Sequence, residues 1–158
     1  MPIASEATST GTSTRIRPRV AEAVRARGIV DTSVVIDLER VAPDDLPGEI
    51  AISAITLAEL AAGPHATADA AERARRQDRL QRTEATFEPI PIDARAARAF
   101  GRVFAAVAAG GRKPRGRRAL DLLIAATAIA AGLPLYTRNP DDFHSLDELL
   151  EVHAVGLA

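Results

Sequence analysis

The stretch Gly-Ile-Val-Asp-Thr-Ser-Val-Val-Ile-Asp-Leu at residues 28–38 constrains this chain more than any other. Ile29 and Val30 are β-branched and suit a short buried strand. Asp31 follows at once, then Thr32 and Ser33, either of which can cap a helix opening near Val34. A carboxylate at a strand-to-helix junction falls on the crest of an open α/β sheet, where such sheets bind ligands. Taken alone, Asp31 reads equally well as a helix cap, so the rest of the chain decides.

Downstream, strand-like and helical spacings alternate. Residues 34–40 read as a short helix and 49–52 as a second strand. Ser53 caps a helix over 54–62 that Gly63-Pro64 stops. Residues 66–85 form a long charged helix with Ala70, Ala71, Ala74 and Leu80 as its apolar stripe and Glu72–Arg76 and Asp78–Arg82 as i,i+4 pairs. Residues 87–92 read as a third strand, placed on a sheet edge because Pro89 and Pro91 cannot donate to a ladder. Asp93 caps a helix over 94–109, where Ala97, Phe100, Val103, Phe104 and Val107 mark the buried face. A helix through Asp121 is stopped by Gly132, and a strand over 133–137 follows. A turn at 138–143, a short helix opened by the capping box Ser145–Glu148 and a last strand over 151–155 complete the order. Such alternation predicts a parallel α/β sheet whose strand carboxyl ends share one edge.

With 158 residues and 47% hydrophobic content, the chain suits one globular domain. That domain spans 28–156, behind a Ser/Thr-rich, arginine-bearing extension over 1–27. There is no cysteine, which removes disulfides and thiolate zinc sites from consideration. The three histidines are isolated and offer no metal site. No apolar run approaches the roughly 20 residues a membrane helix requires, and no secretory signal opens the chain, so the cytoplasm is the expected location. The net charge of −1 means that any nucleic-acid contact needs a local basic patch. Residues 110–118 provide one: Arg112, Lys113, Arg115, Arg117 and Arg118 punctuated by Gly and Pro, a flexible loop suited to phosphate contacts.

Asp121 stands beside that patch, inside the apolar run Ala-Leu-Asp-Leu-Leu-Ile-Ala-Ala at 119–126. A first-turn acid gains only about 0.3–1 kcal/mol from a helix dipole, too little to explain a carboxylate embedded there. Asp31 and the acids of the 139–142 turn fall on the carboxyl edge, and Glu59 and Asp121 can reach it from helices. Four carboxylates about 6 Å apart repel by roughly 3 kcal/mol per pair at an effective dielectric near 20. Over all pairs that is on the order of an entire folding free energy, so they must be protonated in part, spread apart, or neutralised by cations. Oxygen-only ligands select hard ions, Mg²⁺ or Mn²⁺, and beside a basic loop the natural chemistry is metal-assisted phosphodiester hydrolysis.

The segments Ile-Val-Asp-Thr-Ser (29–33), Ala-Glu-Leu (58–60), Ala-Leu-Asp-Leu-Leu-Ile-Ala-Ala-Thr-Ala (119–128) and Thr-Arg-Asn-Pro-Asp-Asp-Phe (137–143) resemble, in order and spacing, the motifs of PIN-domain ribonucleases, and among them the VapC toxins of bacterial toxin–antitoxin pairs. The resemblance implies an α/β PIN-like sandwich with a central parallel, five-stranded sheet flanked by helices. It implies a Mg²⁺-dependent endoribonuclease, with Mn²⁺ a plausible substitute, acting on an RNA such as tRNA or rRNA. Carried over, Asp31, Glu59 and Asp121 form the metal-binding acidic site. Asp142 best fits the fourth position, with Asp141 and Asn139 as competitors. Thr32, Ser33 and Thr137 become hydroxyls that orient carboxylates. A cognate VapB-type antitoxin and a homodimer are the implied partners.

Two other readings compete. A haloacid-dehalogenase-like phosphatase also uses a strand-end aspartate, but it needs a second one two residues on, where Ser33 stands. A catalytically inactive PIN module would bind RNA or a protein without cutting, against which Asp31, Glu59 and Asp121 all remain present. Aromatic residues are 3% of the chain, which disfavours recognition by base stacking.

Overall fold

The computed structural model describes residues 26–158; the 1–27 extension lies outside them except for Ala26 and Arg27. Strand β1 (Arg27–Val30) pairs in parallel with β2 (Glu49–Ala51) on one side and β3 (Leu135–Thr137) on the other, and β4 (Val152–Ala154) adds beside β3. The order is therefore β2-β1-β3-β4. After β2 the chain crosses back over β1 to lay down β3. The crevice between the carboxyl ends of β1 and β3 is thus the topological switch point of the sheet, the place where open α/β folds take ligands.

Strand alternation feeds two cores. Ile29, Ala51 and Leu135 face one side, with Ala99, Val103 and Val107 of α4 (Ala94–Ala109) and Leu122, Ile124, Ala125 and Ala128 of α5 (Arg117–Ala131). Val30, Ile52 and Tyr136 face the other side, with Val34 and Val35 of α1 (Thr32–Ile36), Leu60 of α2 (Ala54–Ala62) and Leu80 of α3 (Ala70–Thr86). The two-faced pattern follows from the period of two along each strand.

The sheet has four strands rather than five. Residues 87–92 supply only an isolated parallel bridge, Ser53 to Ile90. Ile90 donates to Ile52 O at 2.9 Å and its carbonyl accepts from Ala54 N at 2.8 Å. Pro89 and Pro91 flank it and have no N–H to extend the ladder. The segment lies on the edge beside β2, as expected, but is too interrupted to count as a strand.

Other expectations shift. Asp31 itself caps α1, accepting from Val34 N, while Thr32 and Ser33 fall inside the helix. Ser53 and Asp93 cap α2 and α4. On α3 the inward stripe is Glu72, Arg76, Arg79, Leu80 and Thr83, with Ala70, Ala71 and Ala74 exposed; the pairs Glu72–Arg76 and Asp78–Arg82 form at 2.8 and 2.9 Å. On α4 the buried face is Ala96, Ala99, Val103 and Val107, while Ala97 and Phe104 are exposed. Residues 140–146 wind as a 3-10 turn, so Ser145 lies inside it and opens no helix. Phe143 and Leu146 are buried three apart, the spacing that eclipses side chains in 3-10 geometry. No described helix is long and apolar enough to cross a membrane.

Gly28 fixes how closely β1 approaches its neighbours. A Cβ there would stand 2.5 Å from Tyr136 Cε2 and 3.2 Å from Pro47 Cβ. Tyr136 has little room to retreat, because its ring stacks on His153 with centroids 4.6 Å apart. Gly28→Ala is expected to destabilise the fold by about 1–3 kcal/mol, read as a lower urea midpoint with unchanged slope.

Candidate metal-dependent active site

β1 ends at Val30, and backbone pairing to β3 continues through the next residue, Asp31 N donating to Tyr136 O at 3.0 Å. The side chain is only 4% exposed. Its Oδ1 accepts from Ser33 Oγ and from Val34 N, and its Oδ2 accepts from Thr137 Oγ1. Thr137, fully buried at the end of β3, thereby ties the two strand ends together. Its hydroxyl also accepts from Asn139 N at 3.0 Å, and Arg138 N donates to Ser33 Oγ. Arg138 pairs with Asp37 at the end of α1, which closes the rim of the crevice.

Three acids face this corner from other elements. Glu59 on α2 accepts from Thr32 Oγ1. Asp121 reaches in from α5. That helix begins at Arg117 behind Gly116, whose φ of +57° suits glycine, so Asp121 sits in the second turn, beyond most of the dipole's reach. Asp142 comes from the 3-10 turn after β3. A hollow of about 280 Å³ is lined by Asp31, Asp121, Asn139 and Asp142 together with Thr32, Ser33, Arg117 and Arg118. A second hollow of about 320 Å³ carries Glu59 and shares Thr32 and Arg117 with the first.

The electrostatics show a concentrated negative field. Asp121 is pushed up to about 6, first by burial, then by the charges of Glu59 and Asp31, with Asp142 adding to them and Arg117 opposing. Carboxylates from three other elements therefore act on Asp121.

A family model for the PIN domain matches residues 28–149. The chain belongs to the PIN-domain family. Ribonuclease VapC5 of Mycobacterium tuberculosis is 38% identical over 133 residues, covering 82% of this chain and 95% of that protein. Ribonuclease VapC8 of the same species is 38% identical over 102 residues, covering 64% and 89%. Among solved structures, VapBC-5 of M. tuberculosis, a member of the VapBC family of toxin–antitoxin systems, superposes with a TM-score of 0.70 at 37% identity over 82% of this chain and 97% of that one. FitAcB of Neisseria gonorrhoeae gives 0.63 at 25% identity, over 81% and 96%.

Within this PIN domain the crevice gathers Asp31, Asp121 and Asp142, with Glu59 next door across Thr32. Asp141 is turned away: its side chain is 90% exposed and meets His144 at 3.1 Å. Asn139 lines the hollow and holds the turn through its carbonyl, which accepts from Asp142 N. The basic patch divides. Arg112, Lys113 and Arg115 are exposed and line neither hollow. Arg117 and Arg118 belong to the first turn of α5 and line the site. Arg118 donates to Asp142 O at 3.0 Å and stands 3.5 Å from its carboxylate, while its Nε is buried with no partner among the described residues.

Arg118 therefore fastens the 140–146 turn to α5. Arg118→Ala is expected to cost about 1–2 kcal/mol in a urea titration. Placement on α5 rather than in the loop was hidden because Arg-Gly-Arg-Arg reads as loop composition; Gly116 as the residue before the helix was the missing signal. Arg79, which also lines the second hollow, was hidden by α3's charge, although it lies one residue before Leu80 and three after Arg76.

Among the described residues no three acidic or imidazole groups are gathered tightly enough to chelate an ion as they stand. Hydroxyls engage Asp31 and Glu59 instead. The donor chemistry nevertheless fits Mg²⁺ or Mn²⁺: carboxylate oxygens only, with no sulfur or imidazole lining either hollow.

Proposed function

We propose that this PIN domain is a metal-dependent endoribonuclease, a VapC-type toxin that hydrolyses RNA phosphodiester bonds and is held in check by a cognate VapB-type antitoxin. The observation that carries the reading is the shared hollow at the β1/β3 switch point, where Asp31, Asp121 and Asp142 meet beneath Arg117 and Arg118. Identity to ribonucleases VapC5 and VapC8 supports the substrate class, and likeness to VapBC-5 supports an antitoxin partner.

Asp31 and Asp121 would hold Mg²⁺ or Mn²⁺, with Glu59 and Asp142 completing the acidic site. The ion supplies Lewis acidity at the phosphoryl group and a nucleophile at neutral pH. The chain does the rest. Ser33 and Thr137 fix the rotamer of Asp31, and Thr32 fixes that of Glu59, so the carboxylates are oriented before substrate arrives. Glu59 or Asp142 accepts a hydrogen bond from the attacking water and aims it in line with the leaving 3′ oxygen. Arg117, exposed at the rim of the hollow, offers donors to phosphate oxygens. Arg112, Lys113 and Arg115 extend the electrostatic field outward over the RNA backbone. The protein works as a homodimer in this reading.

The test is cleavage of labelled RNA with Mg²⁺ or Mn²⁺, repeated with chelator and with purified antitoxin. Cutting that needs the ion and stops with antitoxin supports the reading; undiminished cutting in chelator contradicts it. Thr137→Val, which keeps the shape and removes the hydroxyl, is expected to lower cleavage about 10–100-fold with the fold retained, measured as kcat/KM beside a circular-dichroism melt.

A further inference from the structure

The arginines of α3 are mostly committed. Arg75 and Arg76 both bind Glu72, and Arg76 also donates to Gly63 O at 3.0 Å. Arg82 pairs with Glu39 and Asp78. Arg73 donates to Thr67 O. Arg79 differs: it is partly buried, yet its guanidinium has no hydrogen bond or ion pair among the described residues. It lines the 320 Å³ hollow along with Arg76, Arg117, Glu59, Glu72 and Thr32. That hollow joins the acidic one through Thr32 and Arg117.

Three arginines and two glutamates thus line this hollow. Glu72 is already neutralised by Arg75 and Arg76, which hold its carboxyl below the usual range. Glu59 is engaged by Thr32 and belongs to the acidic centre. Arg117, exposed at the start of α5, already faces the acids of the neighbouring hollow, which leaves partly buried Arg79 as the guanidinium without a counter-charge. A guanidinium withdrawn from water without a partner is costly, and its planar fork matches a phosphate.

We propose that Arg79 and Arg117 form a phosphate subsite, taking a backbone phosphate of single-stranded RNA adjacent to the one that is cut. This rests on the ribonuclease reading. It sends the RNA from the acidic crevice along α1 towards α3, rather than only over the 110–116 loop. RNA is the occupant because the hollow shares Thr32 and Arg117 with the acidic one and offers charge rather than aromatic faces, so the strand is held by salt-sensitive contacts.

The experiment measures binding of a labelled 12-nucleotide single-stranded RNA in chelator, by anisotropy across a salt series, for the full chain and its variants. Arg79→Gln is expected to bind about fivefold more weakly at low salt and to flatten the log–log salt slope by about 0.7, the value for one lost phosphate contact on a single strand. Arg79→Lys should keep the slope, and Arg98→Gln, on the far side of the sheet, should match wild type. Equal melting temperatures establish that the variants fold. In the metal-loaded assay Arg79→Gln should raise KM with kcat little changed. A wild-type protein that cuts RNA while Arg79→Gln shows unchanged affinity and slope overturns the subsite alone. Loss of antitoxin affinity in Arg79→Gln with the RNA slope intact assigns the hollow to a protein and also overturns it. A wild type that neither binds nor cuts RNA overturns the ribonuclease reading beneath it.

Discussion

Asp31→Asn is expected to lower RNA cleavage by more than about a hundredfold while leaving the protein folded. Loss of a group that merely supports a metal ligand costs 10–100-fold, and Asp31 is proposed as a ligand itself. The fold should survive because asparagine remains a good helix cap and can still accept from Val34 N. Ser33 keeps donating to that same oxygen, and the Thr137 hydroxyl, which faces the other one, can reverse to accept from the new amide. Single-turnover cleavage beside a thermal melt separates the two effects. A variant that melts with wild type but does not cut supports the assignment; equal cutting removes Asp31 from the chemistry.

Asp121→Asn is expected to do something less intuitive: abolish cleavage and stabilise the metal-free protein at neutral pH. Asp121 is raised from 3.8 to about 6 by burial and by Glu59, Asp31 and Asp142, against Arg117. A carboxyl whose value is raised on folding contributes stability below its unfolded value. That contribution is lost as pH climbs through the folded value. At pH 7.5 wild type therefore carries a charge that its fold disfavours, and asparagine removes it. Asp121 is partly exposed to solvent, so screening reduces the gain to about 1 kcal/mol, or about 2–4 °C in melting temperature. The gain should vanish at pH 4 and shrink when Mg²⁺ or Mn²⁺ is added to wild type. A variant no more stable than wild type in chelator at pH 7.5 would show that the acids do not share a field.

That trade between stability and chemistry explains which parts were legible in the sequence. Asp31 and Asp121 were readable because each violates a local rule: one interrupts an apolar strand exit, the other an apolar helix. The parallel order followed from alternation. The strand count did not, because Pro89 and Pro91 reduce a strand-like run to one bridge at Ile90. The choice between Asp141 and Asp142 could not be made from adjacency. It depends on the 3-10 winding set by buried Phe143 and Leu146, which turns one acid to solvent and the other to the hollow. Arg117 and Arg118 were assigned by composition to a loop and by geometry to a helix. Their partners, Asp121 and Asp142, are distant enough along the chain that only packing reveals them.

If Asp31, Asp121 and Asp142 hold a divalent ion, that ion must sit where the end of β1, α5 and the turn after β3 converge. Crystals of the protein soaked in Mn²⁺, with anomalous scattering recorded at the manganese edge, test it most directly. An anomalous peak is expected in the hollow between Asp31 and Asp121, absent from Asp31→Asn crystals treated identically. Saturating Mn²⁺ that leaves this hollow without a peak, in a protein that still cuts RNA, would contradict it.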